Sequence, residues 1–144
     1  MEVTTFSEVF ERAMFQFRDR SLLHLNIEDR ERVLMNYMFA GMNDFQRVCQ
    51  IDLPYNTATM SFGVKLGHEE LEILALGTAT YWLKSRAHDE VVLHNRLYNK
   101  DYSFFSPANL LREINSLLKI TEDKFRKSIV EYSYMHSDLA NLKV

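Results

Sequence analysis

The chain has 144 residues, 47% of them apolar, with 17 lysines and arginines against 20 aspartates and glutamates, for a net charge of −3. A single domain of this length hides about 70% of the surface its unfolded form exposes, so neither a disulfide nor a metal is needed as a staple. The charge balance excludes a generally basic nucleic-acid binder, and four glycines with two prolines are too few for a turn-rich all-β fold. Leu, Met, Glu, Lys and Arg are helix formers, and the expectation is an all-α domain spanning 1–144: a bundle of about four helices with a long C-terminal helix and one long irregular loop.

The segment Met1-Glu2-Val3-Thr4-Thr5 has no basic stretch leading into an apolar run, so neither a signal nor a transit peptide is expected, and synthesis in the cytoplasm follows. The longest charge-free apolar stretch, Ile73 to Leu83, covers 11 residues, against roughly 20 for a bilayer span. It reads as a core or interface segment.

Thr5-Phe6-Ser7-Glu8 has the form of a capping box and predicts a helix from there to about Arg20. Phe6, Val9, Phe10, Ala13, Met14 and Phe17 form its apolar stripe. Asn26-Ile27-Glu28-Asp29 predicts a second start, with Asn as cap and carboxylates at the positive end of the helix dipole. Its stripe runs through Val33, Leu34, Tyr37, Met38, Gly41, Met42, Phe45, Val48 and Cys49 to about Gln50.

Between Ile51 and Gly67 the periodicity fails, and Pro54, Asn56, Gly63 and Gly67 punctuate a long loop, in which Ala58, Met60 and Phe62 alternate as a short extended segment would. A loop of that length is typically functional or mobile. His68-Glu69-Glu70 opens a third helix, apolar on almost every side from Leu71 to Leu83. Such a helix is buried on several faces, either at the centre of the bundle or against another subunit. Ala75, Gly77 and Ala79 on it would permit close approach of a neighbouring backbone.

Ser106 followed by Pro107 predicts the start of the last helix, since proline's fixed φ suits the first helical position. From Leu111 through Ile114, Leu118, Thr121, Phe125, Ser128 and Tyr132 to Met135 the steps alternate between three and four. The polar members Thr121 and Ser128 argue for packing within a bundle rather than a long two-stranded coiled coil. Thirty residues at a 1.5 Å rise make a rod of about 45 Å, long enough for part of it to project from the body.

Catalytic and metal signatures are not found. His88 and His94, six positions apart, are separated by about 240° on a helix and cannot share an ion. Glu90 and His94 share a face, but a site needs more ligands than two. His68-Glu69-Glu70-Leu71-Glu72 lacks the second His of a zinc-protease signature, and Cys49 reads as a buried structural thiol. No phosphate loop, nucleophile turn or dinucleotide fingerprint is present in the sequence. Lys124, Arg126 and Lys127 alternate with Glu122 and Asp123, as on a solvated helix face. The expectation is a protein without catalytic, cofactor or metal residues.

The surplus is apolar. Tyr98, Tyr102, Phe104 and Phe105 crowd a connection that should be polar, and Tyr132, Tyr134, Met135, Leu139 and Leu142 run on past the expected end of the packed bundle. The aromatic turn either closes the end of the helix bundle or anchors a partner, as large aromatic side chains frequently do at interfaces; the candidate partner-binding residues are Tyr102, Phe104, Phe105, Tyr132, Tyr134, Met135, Leu139 and Leu142, with 137–144 as a candidate partner-binding tail.

The segments Glu72-Ile73-Leu74-Ala75-Leu76, Tyr81-Trp82-Leu83-Lys84, Lys100-Asp101-Tyr102-Ser103-Phe104-Phe105-Ser106-Pro107-Ala108-Asn109-Leu110-Leu111 and Glu131-Tyr132-Ser133-Tyr134 resemble the head-tail connector adaptors, or head-completion proteins, of tailed-phage necks. The resemblance covers about residues 69–134; the first two helices match only in being helical, and the loop 51–67 matches nothing in the family. It implies a structural virion protein of the neck, made in the host cytoplasm, forming a dodecameric ring beneath the portal protein. Such a ring extends the DNA channel and meets the next neck or tail protein. DNA would pass through without specific binding, as the negative net charge allows, and no membrane is involved. The alternatives are another neck or tail-completion component, or a soluble helical enzyme or regulator.

Overall fold

The structure, a computed structural model, describes residues 2–16, 26–96 and 107–136, with the side chains of 90–96 and 107–110 outside the described set. Among these residues the chain forms α1 (Phe6–Gln16), α2 (Ile27–Cys49), a short hairpin of β1 (Tyr55–Asn56) and β2 (Ser61–Phe62), α3 (His68–Arg96) and α4 (Pro107–His136). The all-α bundle with a long C-terminal helix is the observed architecture.

The local signals act where the sequence puts them. The Glu8 carboxylate reaches back to accept the Thr5 N–H at 2.8 Å, and the Asn26 side chain accepts the Asp29 N–H at 2.8 Å. At the far end of α2, Gln50 turns left-handed with φ 53° and its N–H closes on the Gln46 carbonyl. Left-handed C-caps stop helices in this way by satisfying a terminal carbonyl.

α3 is the central element. Every residue from Ile73 to Thr80 is buried, and α1, α2 and α4 all pack on it. This resolves the choice left by its all-round apolarity: its faces are covered within the chain. Thr78 and Thr80 sit inside without penalty because each hydroxyl donates to the carbonyl four residues back, Leu74 and Leu76, at 2.7 Å. α2 packs on α3, with Tyr37 edge-on to Trp82 at 5.6 Å and its hydroxyl 3.0 Å from Ser85 Oγ. α4 runs antiparallel to α3: Tyr132 lies beside Glu70, and Glu122 beside Lys84.

The segment 51–67 is held by the N-terminus. Phe62 N–H donates to the Thr4 carbonyl at 2.8 Å, Phe6 N–H to the Met60 carbonyl at 2.9 Å and Leu66 N–H to Thr4 Oγ1 at 2.8 Å. Thr5 bridges Ser61, so residues 4–6 extend the hairpin as a third strand-like edge. The Phe6 ring sits edge-on to Phe62, Phe39 and Phe10 at 5.0, 5.8 and 6.4 Å, tying hairpin, α2 and α1 together. The expected extended run through Ala58, Met60 and Phe62 is corrected: residues 57–60 are a turn. The Asn56 side chain accepts the Ala58 N–H at 2.9 Å, the bond by which Asn initiates turns, and Met60 is left-handed at φ 51°.

Two stripe assignments change. Val48 is exposed, because α2 ends there on a rim rather than in the core. In α4 it is the C-terminal half that is sunk into the bundle, at Thr121, Phe125, Ile129 and Tyr132, whereas Leu111, Ile114, Leu117 and Leu118 are half-buried. Cys49 is half-buried; its Sγ donates to the Ile129 carbonyl at 3.6 Å, and burial pushes the thiol up from its ordinary pKa.

Candidate interaction surface

The seven-residue stripe of α4 carries Tyr132 back against the start of α3, where it becomes a core residue, only 9% exposed. Its ring meets Phe45 edge-on at 4.9 Å, and its hydroxyl donates to Glu70 Oε1 at 3.3 Å. Burial, followed by the neighbouring Glu70 carboxylate, pushes the phenol up to about 12. The expectation that Tyr132 lies beyond the packed bundle is therefore corrected: α2 reaches far enough for Phe45 to cover it. His136, one turn on, stacks on the same ring at 3.9 Å and 14°, with Nδ1 3.1 Å from the Tyr132 carbonyl oxygen.

Beyond Tyr132 the helix leaves the core. Tyr134 and Met135 are 81% and 76% exposed, at the end of the bundle where they were expected to be accessible. Tyr102, Phe104, Phe105, Leu139 and Leu142, with Tyr98 and the tail 137–144, lie outside the described residues.

Met135 stands over a cleft of about 350 Å³ between the first turns of α3 and the last turns of α4. Ile73 and Tyr132 give it an apolar floor, and Glu69, Glu72 and Glu131 line its walls with no lysine or arginine among the lining residues. The nearest cations stand at its margin. Arg12 comes from α1 to within 3.7 Å of Glu72, its other nitrogen 3.1 Å from His68 Nδ1, and Lys127 reaches Glu131 only at 4.0 Å.

A second cleft, about 440 Å³, lies among α2, α3 and α4. Here charges of both signs are paired within the cleft. Asp44 accepts from the Tyr81 hydroxyl and from Arg47 at 3.4 Å, while Glu122 is reached by Arg126 at 2.6 Å and by Lys84 at 3.7 Å. Burial and then the bond to Asp44 push the Tyr81 phenol up to about 12, and Lys84 Nζ sits 5.0 Å from the Tyr81 ring centre. The carboxylates are the deeper partners. Arg47 and Arg126 stand outward, each 73% exposed, beside the exposed Val48 and Val130.

Of the partner-binding candidates named from sequence, Tyr132, Tyr134 and Met135 lie at this surface, Tyr132 in the buried floor of the first cleft. Glu69, Glu72, Glu122 and Arg126 read from sequence only as parts of solvated helix faces, because the walls form where two elements meet in the first cleft and three in the second. Among the described residues no group of three or more His, Cys, Asp or Glu side chains could hold a metal ion, and no helix is long and apolar enough to cross a membrane. No protein-family model, curated protein or solved structure matches the chain.

Proposed function

We propose that this chain is a structural docking subunit, and specifically a head-tail connector adaptor of a tailed-phage neck. In that role, copies assemble beneath a portal protein, extend the DNA channel and offer a surface to the next neck or tail component. The observation that carries the proposal is the exposure of Tyr134 and Met135 directly beyond the buried Tyr132, at the end of a helix whose C-terminal half is sunk into the bundle at Thr121, Phe125 and Ile129. A large aromatic and a methionine kept in water beside an anionic cleft are the makings of a protein interface, where aromatic and Met side chains are enriched. The sequence resemblance supports the finer reading, since the segments that carry it lie on α3 and α4 and the stretch between them. The all-α bundle agrees with the helical fold that the resemblance implies.

The test is electron microscopy of phage particles made with and without the chain. The expected result is DNA-filled heads that lack tails when it is missing, and density for it between portal and tail when it is present. Normal tailed particles assembled in its absence would overturn the reading.

A further inference from the structure

The two clefts flank the same helix and carry opposite outward charge. At about 100° per residue, Glu131 and Met135 lie some 140° from Arg126 and Val130 around the exposed side of α4, and the buried stripe of Thr121, Phe125 and Ile129 fills the wider arc on the other side. The flank holding Glu131 and Met135 faces a wall completed by Glu69 and Glu72; the other flank presents Arg126 beside Arg47 of α2. Each flank also exposes apolar side chains that the monomer leaves in water, Met135 on the anionic side and Val48 with Val130 on the cationic side.

We propose that these flanks are the two halves of one contact between copies of this chain, the anionic cleft of one copy receiving the Arg47/Arg126 rim of the next. The inference deepens the proposed function and rests on it only in requiring that copies assemble.

Charge complementarity selects a second copy as the occupant. A segment seated over Ile73 and Met135 must supply cations to Glu69 and Glu131, because the marginal Lys127 lies at the limit of an ion pair and Arg12 is directed at Glu72 and His68. The rim of the second cleft offers two outward guanidiniums with apolar Val48 and Val130 next to them, the same combination of charge and grease in opposite sign. Asp44 and Glu122 offset part of that charge, and with Lys84 the cleft still holds three cations against two carboxylates. One copy cannot join its own flanks, which point to different sides of α4. The contact is therefore heterologous, head to tail, and repeats until it closes into a ring or continues as a filament.

The test uses the full chain and two charge reversals at exposed positions, E69K/E131K and R47E/R126E, with sedimentation velocity at low and high salt and circular dichroism as a check of folding. Wild type is expected to associate at low salt and to dissociate at high salt, because rim charges are screened beyond about 10 Å at 0.1 M. Each reversed protein alone should bind itself more weakly by about tenfold or more, like charges then facing each other. Mixing the two should restore association, since the Lys cleft of one meets the Glu rim of the other. Reversed proteins that associate like wild type, or a mixture that stays dissociated, would overturn the contact while leaving the adaptor reading to the particle experiment. Should one reversed protein fail to fold, the wild type decides: association insensitive to salt, or none at any concentration, overturns the proposal.

Discussion

Gly41 of α2 and Gly77 of α3 touch backbone to backbone: a β-carbon on Gly41 would lie 2.8 Å from the Gly77 Cα, and one on Gly77 would lie 2.9 Å from the Gly41 Cα and 3.0 Å from the Phe125 ring. Three helices thus meet at one point, and glycine is what allows them to. In an exposed helix interior, Gly to Ala stabilises by about 1 kcal/mol. Here the sign should reverse, because the obstruction is backbone and cannot rotate away. Gly41→Ala and Gly77→Ala should each destabilise by about 1–3 kcal/mol, the range for overpacked cores. Urea unfolding followed by circular dichroism checks this, and an increase in stability in either variant would show that the helices can part without cost.

Glycines at 41 and 77 are visible in the sequence, and Gly77 stood out there as a point of close approach; the pairing of the two did not, because helical periodicity says which face is buried and not what it meets. The same limit explains the rest. The starts at Asn26 and Pro107 were legible because a cap is a local arrangement of side chain and backbone, as was the burial of Ile73 to Thr80, because a charge-free helix has nowhere else to go. Tyr132 was misplaced since its cover, Phe45, is far away in sequence. The order of the hairpin was hidden for a like reason: its partners are Thr4 and Phe6, at the other end of a long separation. Of the candidate surface, the exposed Tyr134 and Met135 could be read from a helix outrunning its core, whereas the sign of each flank depends on which neighbour α4 leans against.

The cap of α2 should be measurable by itself. Asn26→Ala removes the acceptor for the Asp29 N–H and leaves a donor without its partner at the helix start. A loss of about 1 kcal/mol is expected, as for other N-caps. Asn26→Asp should keep most of the stability, since Asp also caps and its charge suits the dipole. Equal losses in both variants would assign the effect to something other than the cap.

Tyr81 and Tyr132 should make the fold sensitive to alkaline pH. Both phenols are pushed up to about 12 from an ordinary 10, by burial first and then by Asp44 and Glu70 respectively. The unfolded chain therefore loses these protons before the native one does. The stabilisation each group provides is complete below pH 10 and is lost as pH rises through the interval from 10 to about 12. Denaturation midpoints should fall across that interval, and Tyr81→Phe with Tyr132→Phe should flatten the fall. Near-ultraviolet absorbance offers a direct check: Tyr81 and Tyr132 should ionise late, and their Phe variants should remove that late component. A single transition at the ordinary position for every tyrosine would contradict the burial of these hydroxyls.

The last turns of α4 place a core ring and two exposed side chains within four residues. Tyr132 is in the core against Phe45, so Tyr132→Ala should cost about 3–5 kcal/mol, the range for a large buried ring, and any loss of assembly in that variant follows from unfolding. Tyr134 and Met135 point the other way, with most of their surface in water. The double variant Tyr134→Ser, Met135→Ser removes little buried area, and its stability should stay within about 0.5 kcal/mol of wild type, as for surface substitutions generally. If the end of α4 is a docking surface, the same variant should enter particles poorly, because truncating an interface anchor typically costs about 2 kcal/mol or more of binding. Thermal melts of the purified protein and quantification of the chain in purified particles give the two readouts separately. Full incorporation at unchanged stability would remove Tyr134 and Met135 from the interface, and a large drop in melting temperature would place them in the fold instead.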